Sequence, residues 1–333
     1  MELAELEALC QRERGTGITS LTHSHLSAWK ESGSYSLQVL DGNAATWNLV
    51  FKRADYALQE IPALQGFPLN PGPPEYLVMA ATGAVARYLP RVFLARETRA
   101  AEQFLYYVED LSDRYRVAAA KDCVRCAEFL PELQAALAAD FSGSEDPAFL
   151  HFDGDFWPRL RVYAEDSLRA FAPAYPGSGA AGLVELLPAL DELRKRVLGS
   201  AQAPRADALS VPIHGDYNSS NIMVEKAGEG IKALDWEWCG FGLVHSDLAS
   251  LLKGLDPKTE SAALTAFAQR LPQMSFERHQ ELYLWCQIER GVMDASYLAK
   301  QALGSEHAAS LELPSWVKSS HDLVVRYLGE LSR

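Results

Sequence analysis

The sequence predicts an α+β protein of two lobes, with residues 1–111 built mainly on an antiparallel sheet and residues 112–333 mainly helical. Three observations lead there. Short apolar or alternating runs separated by turn residues crowd the first part of the chain. Apolar residues at helical spacing dominate the rest. A brief return of strand-like sequence, Val211 to Trp236, interrupts the helices and carries the densest group of polar motifs.

The elements follow in order. Residues 1–14 read as a short polar helix. Three runs come next, Ile18 to Trp29, Tyr35 to Leu40 and Trp47 to Phe51. Glu31-Ser32-Gly33-Ser34 and Asp41-Gly42-Asn43 are turn signals between them, so the three form an antiparallel meander. Pro62 to Pro74 is rich in Pro and Gly and reads as a loop. Pro73-Pro74 then sets the start of a helix running from Glu75 to about Tyr88. Pro90 to Leu94 and Glu102 to Val108 are two more strands. Tyr115 to Ala139 and Leu183 to Leu198 show helical spacing, and Ser142 to Ala181 between them is rich in aromatics, Gly and Pro. Helices continue after Trp236 to the C-terminus.

Composition limits the function classes. The net charge is -13, with no long acidic run. That balance argues against a basic nucleic-acid-binding face; it serves solubility first, and an acidic surface could also help attract a cationic substrate. No stretch approaches the ~20 consecutive apolar residues of a membrane span. The N-terminus lacks the basic and apolar regions of a secretory signal, so a cytoplasmic location is expected. The five cysteines form no disulfide-rich pattern. Nothing calls for an obligate protein partner.

The chemistry concentrates between Val211 and Glu237. An apolar run enters, a polar loop follows, and Ile222-Met223-Val224 leaves as a strand. Asp216 and Asn221 share that loop. A second apolar run, Ile231 to Leu234, ends at Asp235. Adjacent strands would gather Asp216, Asn221 and Asp235 at one strand end. Two carboxylates and an amide oxygen suit Mg²⁺, which takes oxygen ligands and shares them with substrate phosphates. Phosphoryl transfer needs such a metal, and one carboxylate to orient the acceptor hydroxyl.

These residues carry a family resemblance. His214-Gly215-Asp216, Asn221 and Asp235-Trp236-Glu237 resemble the motifs of the aminoglycoside phosphotransferase and choline kinase superfamily, a relative of the protein kinases. The resemblance spans roughly residues 18–300, with its strongest motifs in the C-terminal half. It implies a protein-kinase-like fold and an ATP- and Mg²⁺-dependent transfer to a hydroxyl of a small-molecule acceptor. Asp216 would be the catalytic base, and Asn221 and Asp235 the magnesium ligands. His214 would be a scaffold residue. Asp247 would brace the catalytic loop, or simply cap the helix that follows.

The same resemblance assigns nucleotide contacts in the first lobe. Lys52, at the end of the third strand, stands where a kinase keeps its phosphate-binding lysine. Its glutamate partner would be Glu75, with Glu60 as the alternative. Ser32, Gly33 and Ser34 would form the turn covering the phosphates, although one glycine departs from the protein-kinase G-x-G-x-x-G. Glu109-Asp110-Leu111 would be the hinge that holds adenine.

Other signals are set aside. Gly177 to Gly182 matches G-x-G-x-x-G but follows no strand, so it reads as a connector. Cys123 and Cys126 lie in a helical run with no second pair for zinc, and His23 and His25 lack a third ligand. No P-loop motif is present. The acceptor is expected near Phe152 to Trp157 and the helix Glu281 to Tyr297, which carries Trp285, Glu289 and Asp294. Acidic and aromatic groups there suit an amino sugar or a quaternary amine, and ordinary packing equally. The absence of a lysine at position 218, which is Asn218, argues against a protein kinase. Competent residues at Lys52, Asp216, Asn221 and Asp235 argue against a non-catalytic pseudokinase.

Overall fold

The computed structural model describes residues 3–29, 32–55, 64–69, 73–98, 103–141, 148–152, 155–200, 203–204, 210–304 and 312–332. Glu60, and Asp153-Gly154 within the expected acceptor segment Phe152 to Trp157, lie outside the described residues.

The N-terminal region is a sheet with a helix on it. Helix α1 (Leu3–Arg14) precedes β1 (Ile18–Trp29), β2 (Ser32–Asp41) and β3 (Thr46–Asp55), and α2 (Pro73–Met79), β4 (Val92–Thr98) and β5 (Gln103–Glu109) follow. The strands form one antiparallel sheet in the order β1-β2-β3-β5-β4. Strand alternation divides the residues between its two faces. Leu37, Val39, Leu49, Phe51 and Tyr107 pack with Leu6, Leu9 and Cys10 of α1. Phe104, Tyr106 and Val108 point the other way and join the large core of the molecule together with Val78 and Met79 of α2. Lys52 is in register with Tyr106, so it shares this second face.

The rest is mainly helical. In chain order it comprises β6 (Tyr115–Val117), α3 (Cys123–Phe141), β7 (Leu150–His151), α4 (Phe156–Phe171), α5 (Ala180–Leu198), β8 (Gly199–Ser200) and β9 (Ala203–Pro204). Then come β10 (Ser210–Ile213), β11 (Ile222–Glu225), β12 (Ile231–Ala233), β13 (Gly240–Leu243), α6 (Ser246–Leu252), α7 (Pro257–Arg270), α8 (Phe276–Leu303) and α9 (Leu313–Leu331). Two small sheets hold the polar loop between them, β10-β13-β7 on one side and β12-β11-β6 on the other. The architecture is α+β, as expected. Among the described residues no helix is long and apolar enough to cross a membrane.

Three local expectations are corrected. Ser32, Gly33 and Ser34 are not a turn. They open β2, opposite Trp29, Ala28 and Ser27, because the strand pairing continues past the glycine. The single helix expected from Glu75 to Tyr88 is two pieces. Helix α2 stops at Met79, and a 3-10 turn covers Ala84–Tyr88. Asp140 of α3 reaches across to accept the Ala84 and Val85 N–H groups (both 2.8 Å), capping that turn from outside its own sequence. A side chain on Gly83 would collide with the same carboxylate.

The helix expected from Tyr115 begins only at Cys123. Tyr115 to Val117 is drawn into β6 by pairing with β11. Asp122 then accepts the Ala119 N–H (2.8 Å) and both Arg116 guanidinium nitrogens, which stops the strand and starts the helix. The Gly-, Pro- and aromatic-rich stretch contains α4. Its buried residues Trp157, Leu160, Ala164, Leu168 and Phe171 keep helical spacing. Pro158 in its first turn costs no internal hydrogen bond.

Candidate functional site

The loop from His214 to Asn221 is shaped by hydrogen bonds to fixed neighbours. Asp247, in the first turn of α6, is fully buried. Its Oδ2 accepts the His214 N–H at 2.9 Å and its Oδ1 accepts the Gly215 N–H at 2.8 Å. Gln134 Nε2 donates to Oδ2 as well, at 3.3 Å. Burial pushes the Asp247 carboxyl above its ordinary value, against the His214 ring and these donors. Gly215 has a φ of 81°, and a Cβ there would sit 1.9 Å from the Trp238 carbonyl oxygen; only glycine takes that position without strain. The His214 ring lies against Trp236, with centroids 4.2 Å apart. Its Nε2 is 2.9 Å from the Leu234 carbonyl and donates to it, so Nδ1 accepts the Asp216 N–H.

Asp216 is thereby held beside Asn221. The amides of Asn218 and Asn221 both donate to Asp216 Oδ2 at 3.0 Å. Arg290 of α8 donates to Asp216 Oδ1 at 2.7 Å. Asn221 also accepts the Leu234 N–H on its carbonyl (2.9 Å), which ties the loop to the residue before Asp235. Asp235 itself has φ 63°, an uncommon conformation for a residue with a side chain. The strand-end gathering of Asp216, Asn221 and Asp235 is therefore built by backbone contacts as well as side chains.

Opposite them stands Lys52. Its Nζ lies 2.7 Å from Glu75 Oε2, 2.8 Å from Asp235 Oδ1 and 3.2 Å from Glu237 Oε1. Tyr106 donates to Glu75 Oε1 at 2.6 Å. The ion pair between Lys52 and Glu75 is thus present. Burial opposes the Lys52 charge, and the carboxylates more than restore it, so the ammonium is held well above its ordinary value. Glu75 is buried completely and its carboxyl is pushed up to about 7, with Lys52 pulling the other way. Burial likewise raises Asp235, and Lys52 more than offsets it, leaving that carboxyl below its ordinary value.

Glu75, Asp235 and Glu237 each bring a carboxylate oxygen within 4.8 Å of the others. This is a concentration of negative charge that needs a cation. Lys52 supplies one here, and the Asn221 amide oxygen and Asp235 beside it are hard oxygen donors of the kind Mg²⁺ takes. The residues present fit such an ion.

Ser34 is opposite Lys52 in the sheet, and Ser32 and Gly33 lie further toward the hairpin tip. Glu109 ends β5, its N–H bonded to the Arg91 carbonyl (2.9 Å), and Leu111 is buried. The expected acceptor face is only partly as read. Phe152, Phe156, Ile213, Gly215, Ser246, Cys286, Glu289, Arg290 and Met293 line a cleft beside the loop. Trp285 is not on that face. It is fully buried against Trp157 (5.0 Å) and donates to Glu289 at 3.2 Å. Asp294 turns to Arg290 and Lys253 instead. Phe67 plugs a ring of Tyr163, Trp238 and Tyr297. Cys123 and Cys126 are buried free thiols.

Sequence reasoning missed four contributors. Glu237 was legible inside the Asp-Trp-Glu motif, and its carboxylate joins the Lys52 cluster. Asn218 was noted only for the lysine it replaces. Tyr106 was read simply as a strand residue. Arg290 had no signal, since a helix 74 residues downstream delivers it.

The chain matches the phosphotransferase enzyme family over residues 74–285. No curated protein matches it by sequence. Its fold is similar to a choline/ethanolamine kinase family protein from Mesorhizobium loti, with 13% identity, 100% of this chain and 97% of that chain covered, and a TM-score of 0.62. Choline kinase from Cryptosporidium parvum Iowa II is similar at 9% identity, covering 99% and 96%, with a TM-score of 0.63. The GDP complex of wild-type aminoglycoside 2'-phosphotransferase-IIIa is similar at 12% identity, covering 99% of each chain, with a TM-score of 0.59. At these identities the likeness is one of fold.

Proposed function

The chain belongs to the phosphotransferase enzyme family, and on that footing we propose that it is a small-molecule kinase that moves the γ-phosphoryl group of ATP to a hydroxyl of a small acceptor. One observation carries the reading. The Lys52 ammonium, delivered by the sheet, meets Asp235 and Glu237, delivered by the helical region, at the mouth of the loop that presents Asp216. A cation and a carboxylate set facing each other across two halves of a protein suit a triphosphate and its metal.

The roles follow from the contacts. Asn221, Asp235 and Glu237 would hold Mg²⁺, which when bound neutralises charge on the phosphate oxygens. Lys52 would grip the phosphates while Glu75 and Tyr106 fix its direction. Asp216, oriented by three donors, would accept a hydrogen bond from the acceptor hydroxyl and then its proton. Ser32, Gly33 and Ser34 would cover the phosphates, and Glu109 to Leu111 would hold adenine. The two-lobe division at Leu111 would let the sheet move over the nucleotide.

The acceptor we favour is an alcohol carrying an amine. Proteins of similar fold are named for choline, ethanolamine and aminoglycosides. The cleft beside the loop supports this with Phe152 and Phe156, and with Glu289, whose carboxyl burial raises to about 7 against the pull of Arg194.

Calorimetric titration with ATP, with and without Mg²⁺, tests the nucleotide site. The wild type should bind ATP much more tightly with Mg²⁺, and Asp235→Ala should abolish the difference. Equal affinity in all four titrations would remove the metal assignment. Transfer from labelled ATP to choline, ethanolamine and an aminoglycoside then identifies the acceptor class.

A further inference from the structure

We propose that Arg290 is a positioning residue for the transfer, clamping Asp216 so that a single oxygen of its carboxylate is left for the acceptor hydroxyl. The inference rests on the reading of Asp216 given above.

The hydrogen-bond capacity of the Asp216 carboxylate is nearly filled. An ionised carboxylate offers about four lone-pair positions, two on each oxygen. Asn218 Nδ2 and Asn221 Nδ2 fill both positions on Asp216 Oδ2. Arg290 Nη2 fills one on Oδ1 at 2.7 Å. One position on Oδ1 remains. Arg290 does not merely touch the carboxylate. Its Nη1 donates to the Gly215 carbonyl at 2.8 Å, so the planar fork spans the backbone and the side chain of the loop together. That two-point hold fixes the carboxylate plane as well as its position.

The arginine is itself held. Its Nε lies 3.2 Å from Asp294 Oδ1, one helical turn on, and Lys253 binds the other oxygen of Asp294. Lys253 is the C-cap of α6, the helix whose first turn carries Asp247. Helix α6 therefore braces the loop twice, directly through Asp247 on the His214 and Gly215 N–H groups, and through Lys253, Asp294 and Arg290 on Asp216. Arg290 and Gly215, the arginine and the backbone it holds, also line the cleft beside the loop.

The test compares wild type, Arg290→Ala, Arg290→Lys, Asp294→Asn and Asp216→Asn. The assay follows phosphate leaving Mg·ATP with water as acceptor, and with choline, ethanolamine and an aminoglycoside supplied in turn. Mg·ATP affinity and thermal unfolding are measured on each protein. Arg290→Ala should lose about a hundredfold in kcat, the scale of a small misplacement of a catalytic group, with Mg·ATP affinity unchanged. Added guanidinium should restore part of that loss in Arg290→Ala and none in Asp216→Asn, a response no purely structural role would give. Arg290→Lys should fall between, because an ammonium keeps the charge but not the fork. It carries the test if the alanine variant fails to fold. Asp294→Asn should lose less than either. Wild-type kcat in both Arg290 variants, alongside an inactive Asp216→Asn, overturns the proposal and leaves the reading of Asp216 standing. An active Asp216→Asn, or a wild type that binds Mg·ATP and releases phosphate to no acceptor, overturns that reading and the proposal with it.

Discussion

Asp247 and Glu75 are both fully buried carboxylates, one in α6 and one in α2, and their surroundings balance them in opposite ways. Asp247 is answered by neutral dipoles, the N–H groups of His214 and Gly215 and the amide of Gln134. Those donors are fixed by the loop they belong to. Glu75 is answered by a single cation, the Lys52 ammonium, and by the Tyr106 hydroxyl. That cation is also shared with Asp235 and Glu237. A carboxylate held by backbone dipoles is a brace. A carboxylate held by a shared ammonium is a joint, since the ammonium can exchange partners when phosphate oxygens arrive and the dipoles cannot.

Breaking the brace should have the largest effect. Asp247→Ala leaves two buried N–H groups without an acceptor, at about 1–3 kcal/mol each, hence roughly 2–6 kcal/mol of stability. Denaturant unfolding measures it. Asp247→Asn should cost less, because one oxygen still accepts while the new NH₂ opposes the other N–H. Equal stability of wild type and Asp247→Ala would mean the loop holds its own shape, and the comparison with Glu75 would lose one side.

Breaking the joint should cost less and should depend on pH. Lys52→Met removes a charge-assisted contact worth about 1.5–3 kcal/mol, so nucleotide affinity should fall by roughly 10- to 150-fold. It also strands Glu75 among carboxylates. Burial already raises that carboxyl from 4.5 to about 7, and loss of the ammonium raises it further. A carboxyl raised in the folded state favours folding when protonated, and the advantage disappears as pH rises from 4.5 through the folded value. Lys52→Met should therefore be more stable at pH 6 than at pH 8, by more than the wild type is. A variant whose stability shows no such slope would indicate that Lys52 is not what balances Glu75.

The smallest effect sharpens the brace. His245, just before α6, and His279 of α8 share a buried contact of 2.9 Å. Burial holds His245 well below its ordinary value and lowers His279 as well. Both resist protonation in the fold more than in the unfolded chain. Their contribution is complete above pH 6.5 and is lost as pH falls below it, by up to ~1.4 kcal/mol per pH unit for each ring. Replacing His279 with Gln should flatten that acid slope. If the slope is unchanged, other groups set the acid limit.

The same comparison explains what the sequence disclosed. The brace was legible because its parts are local. His214, Gly215, Asp216 and Asn221 share one loop, and Asp235 and Asp247 follow within two short elements. The joint was legible only by analogy of position, since Lys52 and Glu75 meet through strand register and a loop that carries no motif. Arg290 was invisible, because nothing about an arginine on a long helix says which loop it will reach. The strand register likewise hid the fate of Ser32 to Ser34. Alternation continues through Gly33, and only the pairing with Arg53 and Lys52 shows that the turn lies elsewhere. In α4 the Gly- and Pro-rich flanks masked a spacing that was present in Trp157, Leu160, Ala164 and Leu168.

The central claim is that Asp216 takes the proton of an acceptor hydroxyl while the Lys52 cluster holds the nucleotide. Asp216→Asn, assayed for transfer from Mg·ATP to whichever acceptor the wild type uses, tests it most directly. The account predicts a fall in kcat of about 10²- to 10⁴-fold, the usual worth of a general base, with Mg·ATP affinity unchanged. Wild-type turnover in that variant, or a loss explained entirely by weaker nucleotide binding, would contradict it.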